Sequence, residues 1–462
     1  MRRLKLSEIR AFQQDQLGFV QRMGAELGGV AHVNMMGVDL FFVSEPAVIR
    51  DVLIHHGDKL HRDPFTGRVF RRFMGNGVFM AEGEAWRRQR KLVQPAFHAT
   101  RIRDYTEIMA TSTQQMTAAW QSGQTVILDD ALTQLTLRII AKTMFDVDLA
   151  ADVARIGQWM KQILSEGESQ LKMPVLPPSW LPTPGNRRQQ SALHAVKDYL
   201  RGIIAQRRAT GEDHGDLLSM LLAARDEDGH PMPEDQLLDE CVTLFVAGHE
   251  TTAAALTWAW YLLAQHPHVT ARLRADVEQV LGGRQIAFDD LPQLPYLEAV
   301  VKETLRLYPP AFGFGRQVQQ PFDALGHHFP RKAVLMFSSY ATHHRPDLWP
   351  EPEAFRPERF LDAATAPDRY TYFPFGVGAR ICLGNMFAML EAQVILATML
   401  QQVDLALHNT APGGHGHADH VASARSVADG GALSANGMIP RTRRKTSNSP
   451  QAAEDSGRGE NC

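Results

Sequence analysis

A ten-residue window around Cys382 constrains this chain more than any other segment, because it sets a cysteine among glycines with an arginine close by. The window, 375–384, has the sequence FGVGARICLG. A cysteine sulfur ligates iron as the thiolate, and glycines such as Gly378 and Gly384 free backbone N–H groups that can donate to it. Apolar residues of the next segment, NMFAMLEAQVILATML, recur at helical spacing, so the cysteine precedes a helix N-terminus that favours an anion. The window predicts the thiolate ligand of a haem iron.

The simpler interpretation of Cys382 is a buried structural cysteine in a turn, because free cysteines are often buried. Several fixed residues in one short window rarely arise by chance, which favours the ligand interpretation. Of the other two cysteines, Cys241 is expected in the core and Cys462 at an exposed terminus. The three are not spaced as a disulfide framework or a zinc site, so we expect a reducing, cytoplasmic environment.

Composition excludes some classes of function. The chain has 462 residues, 44% of them hydrophobic, which is enough for one large core or two ordinary domains. Its 48 basic residues are balanced by 51 acidic ones, so no nucleic acid partner is expected. No apolar run follows the basic N-terminal residues, so we expect no signal peptide and no membrane span. Peripheral contact with a membrane stays open as a route to a lipophilic substrate.

Patterns of secondary structure change along the chain. Alternating residues at 30–43 predict a hairpin, and the Ser-Glu-Pro sequence at 44–46 predicts the cap of a helix. Helical patterns dominate 86–279, interrupted by a proline-rich stretch at 173–186 that predicts a mobile connection. A strand is expected at 333–341. The predicted fold class is mainly α with a minor β part.

The C-terminal segment differs in composition. The tract 408–431 is rich in Gly, Ala and His, and 446–462 is polar, so a disordered tail is expected at the end of the chain. We interpret His415, His417 and His420 as part of a flexible tract, with a metal site as the alternative.

The apolar segment at 239–265 predicts a central buried helix. Residues unusual for such a helix stand midway along it: Gly248, His249, Glu250, Thr251 and Thr252. A glycine weakens a helix by about 1 kcal/mol, and a threonine hydroxyl can bond the carbonyl one turn earlier, so a local opening that holds dioxygen and water is predicted. The alternative is that these residues cap or bend a core helix.

The segment FPFGVGARICLG at 373–384 resembles the haem-binding signature of the cytochrome P450 family. Three further segments agree with that family, in its order: VTLFVAGHETTAAALTW at 242–258, KETLRLYPP at 302–310 and FRPERF at 355–360. The likeness covers about 28 to 445, and 433–445 resembles the family's closing hairpin. It implies a cytochrome P450 fold whose long central helix crosses the distal haem face, in one domain over 1–445, with 446–462 as the tail.

The resemblance implies haem b as cofactor, dioxygen as co-substrate and Cys382 as the metal ligand. Glu250 and Thr251 resemble the family's catalytic proton-delivery residues. The implied cofactor-binding residues, which would surround the haem or its propionates, are Trp86, Arg90, Ala247, Arg316, Phe375, Arg380, Cys382 and Gly384. Buried carboxylates need charge-assisted partners, which is why the arginines are assigned to the propionates. For Arg316 alone, an ordinary surface arginine is the alternative.

A structural network is also expected. Glu303 and Arg306 lie three apart on one helix face and can pair, although many exposed helices carry such a pair with little effect. By resemblance, Arg359 joins them in a buried network that holds the cysteine loop against the core.

Few residues follow Cys382 and no flavin or dinucleotide motif is visible, so electrons from NAD(P)H must arrive through a separate partner. By resemblance that partner is a ferredoxin or flavodoxin with its reductase. A haem-based sensor or electron carrier would not need Glu250 and Thr251. A peroxygenase, in this family, typically departs from that pair.

The predicted substrate pocket is apolar, which implies a large hydrophobic small-molecule substrate. By resemblance its residues are Phe65, Phe70, Phe73, Phe79, Phe245, Ala255, Ala311, Phe312 and Phe314. The quoted segments look most like soluble bacterial carotenoid ring hydroxylases, with fatty-acid hydroxylases as the alternative. A fatty acid would need a cation at the pocket mouth, for which Arg68, Arg71 and Arg72 are candidates.

Overall fold

Helices make up most of the fold. The computed structural model describes residues 2–3, 8, 15–35, 37–149, 151–173, 175–225, 229–362, 364, 366–407 and 421–426. The helices are α1 (Gln16–Leu27), α2 (Pro46–His55), α3 (Pro64–Met74), α4 (Gly83–Val93), α5 (Ala99–Ala118), α6 (Leu128–Phe145), α7 (Val153–Leu171), α8 (Pro184–Thr210), α9 (Leu217–Ala223), α10 (Glu234–Gln265), α11 (Pro267–Leu281), α12 (Pro295–Leu307), α13 (Ser339–His343) and α14 (Asn385–Gln402). Short 3-10 helices include Gly57–Lys59, Gln94–Phe97, Phe288–Gln293, Pro357–Phe360 and Gly378–Arg380.

The strands form three small sheets. They are β1 (Arg2–Arg3), β2 (Val30–Met35), β3 (Val38–Val43), β4 (Leu60–Arg62), β5 (Thr125–Ile127), β6 (Phe314–Val318), β7 (Phe322–Ala324), β8 (His327–Phe329), β9 (Val334–Phe337), β10 (Val403–Leu407) and β11 (Val421–Ser426). The largest sheet has the order β1-β2-β3-β9-β6-β4, the second β10-β11-β5, and the third pairs β7 with β8. Strands β4 and β6 are antiparallel and place Arg62 opposite Arg316.

The central helix α10 is buried along most of its length because apolar residues cover it on all sides. It packs against α6 so closely that a Cβ on Gly248 would lie 2.6 Å from Cδ1 of Ile140. Gly248 therefore allows α10 and α6 to pack closely, because any larger side chain would clash with Ile140. The helix runs on through this point, so the predicted local opening is wrong, while the predicted back-bond exists: the Thr251 hydroxyl donates to the Ala247 carbonyl at 2.9 Å.

Most of the predicted elements are confirmed. Strands β2 and β3 form the expected hairpin, and α2 begins at Pro46, although Glu45 at its N-cap makes no side-chain cap bond. The strand expected at 333–341 ends at Phe337, because the Ser338 side chain accepts from the Ala341 N–H and starts α13. The fold class, mainly α with a minor β part, is confirmed.

The proline-rich stretch ends the preceding helix as predicted, but it is held by hydrogen bonds rather than left as a loose connection. The Asn186 side chain donates to the carbonyls of Pro178 at 3.0 Å and Leu181 at 2.8 Å. Helix α8 already begins at Pro184, because proline is favoured at the first helical position and Thr183 caps it.

A strand, β11, lies inside the tract expected to be irregular, since it pairs with both β10 and β5. The predictions for the histidine tract, for the closing hairpin at 433–445 and for the tail at 446–462 lie outside the described residues. Within the described residues, no helix is long and apolar enough to cross a bilayer.

Candidate functional site

The cysteine loop is closed by its own backbone. The N–H of Cys382 donates to the carbonyl of Phe375 at 3.0 Å. Gly376 and Gly378 have φ of 69° and 78°, in the left-handed region that favours glycine. Gly384 has φ of −86°, outside the left-handed region, and serves as the N-cap of α14. Its N–H donates a hydrogen bond to the Cys382 sulfur.

The setting of Cys382 suits a thiolate ligand. Its side chain is accessible, yet protein surrounds it closely enough that burial raises the pKa of the thiol. The Gly384 N–H and the Arg90 guanidinium act in the opposite direction and lower that pKa. The thiol is therefore open to a ligand although protein atoms lie close around it. Because a metal displaces the thiol proton, a bound iron would complete this site. Cys241 is fully buried in the core, as predicted, and burial raises the pKa of its thiol.

Two predicted arginines flank Trp86 beside the cysteine loop. The guanidinium of Arg380 lies 4.1 Å from the ring centroid of Trp86, and that of Arg90 lies 5.6 Å from it. Arg90 also donates to the carbonyl of Ile381 at 3.1 Å. The helix α4 thus brings Trp86 and Arg90 to the loop that carries the cysteine.

Arg316 and Arg62 join Arg380 and Arg90 in a cationic cluster. Burial lowers the pKa of Arg316 to about 9, and repulsion from Arg62 and Arg380 acts in the same direction. Burial also lowers the pKa of Arg380 to about 10. The surface-arginine alternative for Arg316 is therefore wrong. Glu82 and Asp63 are the acids that offset this charge. Such a cluster favours a bound anion, and the two carboxylates of a haem fit it.

Arg62 was missed by the sequence analysis. Burial lowers its pKa, and its Nε atom has no hydrogen-bond partner among the described residues. It lies beside Arg316 only because β4 pairs with β6. No local sequence pattern indicates that pairing.

The middle of α10 presents a short accessible face. Ala247 and Thr251, one turn apart, are exposed although their neighbours Val246 and Thr252 are buried. The side chain of Glu250 is 40% exposed. Ala247, Glu250 and Thr251 therefore keep the accessibility that their predicted roles need.

Two buried titratable groups lie near this face: His249, which the sequence analysis noted without assigning it a role, and Glu391, which it missed. His249 is fully buried, and burial lowers its pKa to about 4. Glu391 on α14 is fully buried, and neither carboxyl oxygen has a hydrogen-bond partner among the described residues. Burial raises the pKa of Glu391 to about 8, which the nearby Thr252 hydroxyl offsets in part. Glu391 is therefore uncharged in the folded protein at neutral pH.

We expect Glu391 to make stability depend on pH. Its folded-state pKa is raised above that of an ordinary glutamate, so its proton is held more tightly when folded, and stability falls as pH rises from about 4.5 to about 8. The loss is on the order of 2 to 5 kcal/mol over that range. Glu391→Gln, which stays neutral, should flatten this part of the curve when the free energy of unfolding is measured against pH.

The matched control is Glu107→Gln, at an exposed glutamate of α5. Its curve should follow that of the unmodified protein. Parallel curves for Glu391→Gln and the unmodified protein would contradict a neutral buried acid at position 391.

The predicted three-residue network is present in the core. Arg306 Nε and Nη2 donate to the two carboxyl oxygens of Glu303 at 2.7 and 2.8 Å, and both side chains are fully buried. Arg359 Nε donates to Glu303 Oε1 at 3.3 Å, and so does the Arg356 N–H at 2.9 Å. The exposed-pair alternative is thus wrong.

His343 connects this network to the cysteine loop. Its Nδ1 lies 3.2 Å from the Arg306 carbonyl, and its Nε2 accepts from the Phe373 N–H at 3.0 Å. Phe373 and Val377, at the start of the loop, pack in the hydrophobic cluster of the largest sheet. The loop is therefore held from the helical side and from the sheet side.

The predicted pocket residues divide into groups. The ring centroid of Phe70 lies 5.5 Å from that of Phe73 and 5.7 Å from that of Phe79. Phe65 and Phe70 are half-buried, Phe79 is exposed and Phe73 is buried. Phe70, Phe73 and Phe79 form an aromatic cluster at α3 and the turn after it.

The remaining pocket residues lie apart from that cluster. Ala311 and Phe312 are accessible, and their carbonyls accept from the hydroxyls of Ser339 and Ser338 at 3.2 and 2.9 Å. The other three are placed differently: Phe245 is buried against Phe145, Ala255 is buried in the core, and Phe314 lies beside Gly376 of the cysteine loop. In this structure Phe245 and Ala255 are buried, and Phe314 is half-buried.

Comparisons with known proteins agree with this geometry. The family described as Cytochrome P450 matches residues 5–414. Cyclooctat-9-en-7-ol 5-monooxygenase of Streptomyces melanosporofaciens is 35% identical over 400 residues, which cover 85% of this chain and 86% of that protein. Pentalenene oxygenase of Streptomyces avermitilis is 32% identical over 390 residues, which cover 84% and 86%. Among solved structures, cyanobacterial CYP120A1 with retinoic acid bound has a TM-score of 0.80 at 27% identity, covering 91% of this chain and 96% of that one.

Proposed function

Because this chain belongs to the cytochrome P450 family and is a haem-dependent monooxygenase, we propose that it hydroxylates a C–H bond of a large cyclic terpenoid. The observation that carries the proposal is the accessible, desolvated Cys382 in its glycine loop, together with two relatives named for terpenoid oxygenation. A carotenoid ring is the narrower candidate, supported by the sequence resemblance alone.

When bound, haem b supplies oxygen activation with dioxygen and electrons derived from NAD(P)H. In our proposal Cys382 holds the iron. Trp86, Arg90, Arg316 and Arg380 hold the propionates, with Arg62 as a further cation. Ala247, Phe375 and Gly384 contact the haem, and Glu250 and Thr251 hold and pass protons at the accessible face of α10.

The electrons are proposed to arrive from a small acidic carrier, a ferredoxin or a flavodoxin with its reductase. A groove of about 420 Å³ beside the cysteine loop suits such a carrier, because cationic side chains line it. Its residues are Trp86, Arg87, Arg90, Lys91, Gln94, Pro95 and His98. Docking of this kind weakens as salt rises, so electron-transfer rates measured at increasing ionic strength should fall.

Replacing either proton-delivery residue should separate ligand binding from turnover. Thr251→Ala and Glu250→Gln should still bind haem and substrate, but should divert reducing equivalents into peroxide, because general-acid roles are typically worth roughly 10²- to 10⁴-fold in rate. The measurement is product and peroxide formed per NAD(P)H consumed, with the natural carrier. Unchanged product yield in both variants would contradict the relay.

The substrate class is tested by binding. A panel of terpenoids, carotenoids and fatty acids is screened for the spin-state change of the purified haem protein. We expect terpenoids to give the change, because the aromatic cluster of α3 and the accessible Phe312 offer apolar contact.

Arginine variants distinguish a fatty acid from a terpenoid. Arg71 donates to the Met80 carbonyl at 3.2 Å, and Arg72 to Gln170 at 3.3 Å, so each already has a partner in the protein. Arg71→Ala should therefore change terpenoid binding little, while Phe312→Ala should weaken it. Tight fatty-acid binding, weakened by roughly 1.5 to 3 kcal/mol in Arg71→Ala, with no terpenoid turnover, would overturn the proposal.

A further inference from the structure

His249 occupies an unusual position in the central helix. It is fully buried, and its Nδ1 atom faces the Phe245 carbonyl one turn earlier. Because a carbonyl only accepts, Nδ1 must bear the hydrogen, which leaves Nε2 as a bare lone pair in the neutral ring. Nε2 has no hydrogen-bond partner among the described residues, and it lies 3.8 Å from the nearer carboxyl oxygen of Glu250.

The imidazole is held in this orientation. The hydroxyl of Thr136 on α6 donates to the His249 carbonyl at 2.9 Å, which fixes the backbone of this turn. The Nδ1 bond to Phe245 then fixes the ring. Because burial keeps the ring uncharged near neutral pH, Nε2 accepts a hydrogen bond and does not donate one.

A bare buried acceptor needs a donor, since an unmade hydrogen bond costs about 1 to 3 kcal/mol. The carboxyl of Glu250 is the acidic group beside Nε2, and it supplies a donor when it carries a proton. The separation of 3.8 Å exceeds a hydrogen bond, so the proposed bond requires the half-exposed Glu250 side chain to move closer to Nε2.

We propose that His249 is a positioning residue, whose Nε2 accepts a hydrogen bond from Glu250 whenever that carboxyl carries a proton and so orients the acid beside Thr251. This inference rests on the proposed function. The proton stays on Glu250 until it is passed towards Thr251, and solvent at the exposed side of Glu250 replaces it.

Two substitutions separate this role from packing. His249→Asn retains a side-chain N–H near the Nδ1 position, and so the bond to Phe245, but removes the group that faces Glu250. His249→Gln places a polar group near the Nε2 position. We expect His249→Asn to lower product per NAD(P)H by about two- to tenfold, the worth of one hydrogen bond, and His249→Gln to restore much of the loss. Haem content and the substrate-induced spin change should stay as in the unmodified protein in both variants.

The second readout is independent of turnover. The infrared carbonyl stretch of a protonated carboxyl is assigned to Glu250 in the substrate-bound holoprotein by its loss in Glu250→Gln. This band should shift or vanish in His249→Asn and persist in His249→Gln. Thermal unfolding of both variants measures any packing defect.

The inference is overturned if His249→Asn leaves both the coupling and the infrared band unchanged. It is also overturned if the two variants lose coupling equally and in proportion to lost stability, because His249 would then be a core residue only. The proposed function fails separately, when the unmodified protein hydroxylates no terpenoid in the same assay.

Discussion

Cys382→Ser is expected to abolish the thiolate-type Soret band of the reduced carbon monoxide complex. Serine keeps the size of the side chain, but it lacks the sulfur that pushes electron density onto iron. The loop geometry should survive, because Gly376 and Gly378 and the bond from residue 382 to the Phe375 carbonyl are backbone features. The measurement is the carbon monoxide difference spectrum of the purified protein.

The matched control is Cys241→Ser, in the central helix. Cys241 is fully buried and free, so its loss changes packing and leaves the thiolate spectrum intact. A thiolate spectrum that survives in Cys382→Ser, or disappears in Cys241→Ser, would contradict the assignment of Cys382.

The elements that sequence alone predicted are those with a local pattern. The cysteine window, the central helix and the hairpin β2–β3 each depend on spacing within a short segment. Local patterns therefore predicted the fold class, which is confirmed, and they carry the proposal that Cys382 is the metal ligand.

The residues that were missed depend on contacts between distant segments. Arg62 meets Arg316 across a pair of antiparallel strands, and His343 joins a helix carbonyl to the cysteine loop. Glu391 looks in sequence like any helical glutamate, and only its burial makes it uncharged. Such roles arise from tertiary packing, which a single sequence without an alignment does not indicate.

Three predicted pocket residues differ from the others in burial or position. Phe245, Ala255 and Phe314 are apolar residues near signature segments, where resemblance specifies the neighbourhood and not the direction of each side chain. On a helix that is buried along most of its length, such as α10, a shift of one residue turns a side chain by about 100°, which is enough to move it from the short accessible face to the core. Ala247 and Thr251 lie on the accessible face of α10, whereas Phe245 is buried.

Arg306→Gln is expected to have the largest effect on stability among the substitutions outside the cysteine loop. It removes both bonds to Glu303 and leaves a carboxylate buried without its main cation. It also removes the donors to the carbonyls of His343 at 2.9 Å and Pro352 at 2.7 Å. Breaking a buried ion pair from one side costs about 3 to 5 kcal/mol, measurable as the loss in free energy of unfolding of the holoprotein.

The control is Arg272→Gln, which breaks the half-exposed pair with Glu358 and should cost less than about 1 kcal/mol. Much of the cost at Arg306 comes from the charge left on Glu303, so the double variant Glu303→Gln, Arg306→Gln should be more stable than Arg306→Gln alone. Because His343 joins the Arg306 carbonyl to the start of the cysteine loop, haem retention should fall in the same order as stability. A double variant less stable than Arg306→Gln would show that donors to the backbone carbonyls, and not the buried charge, dominate this network.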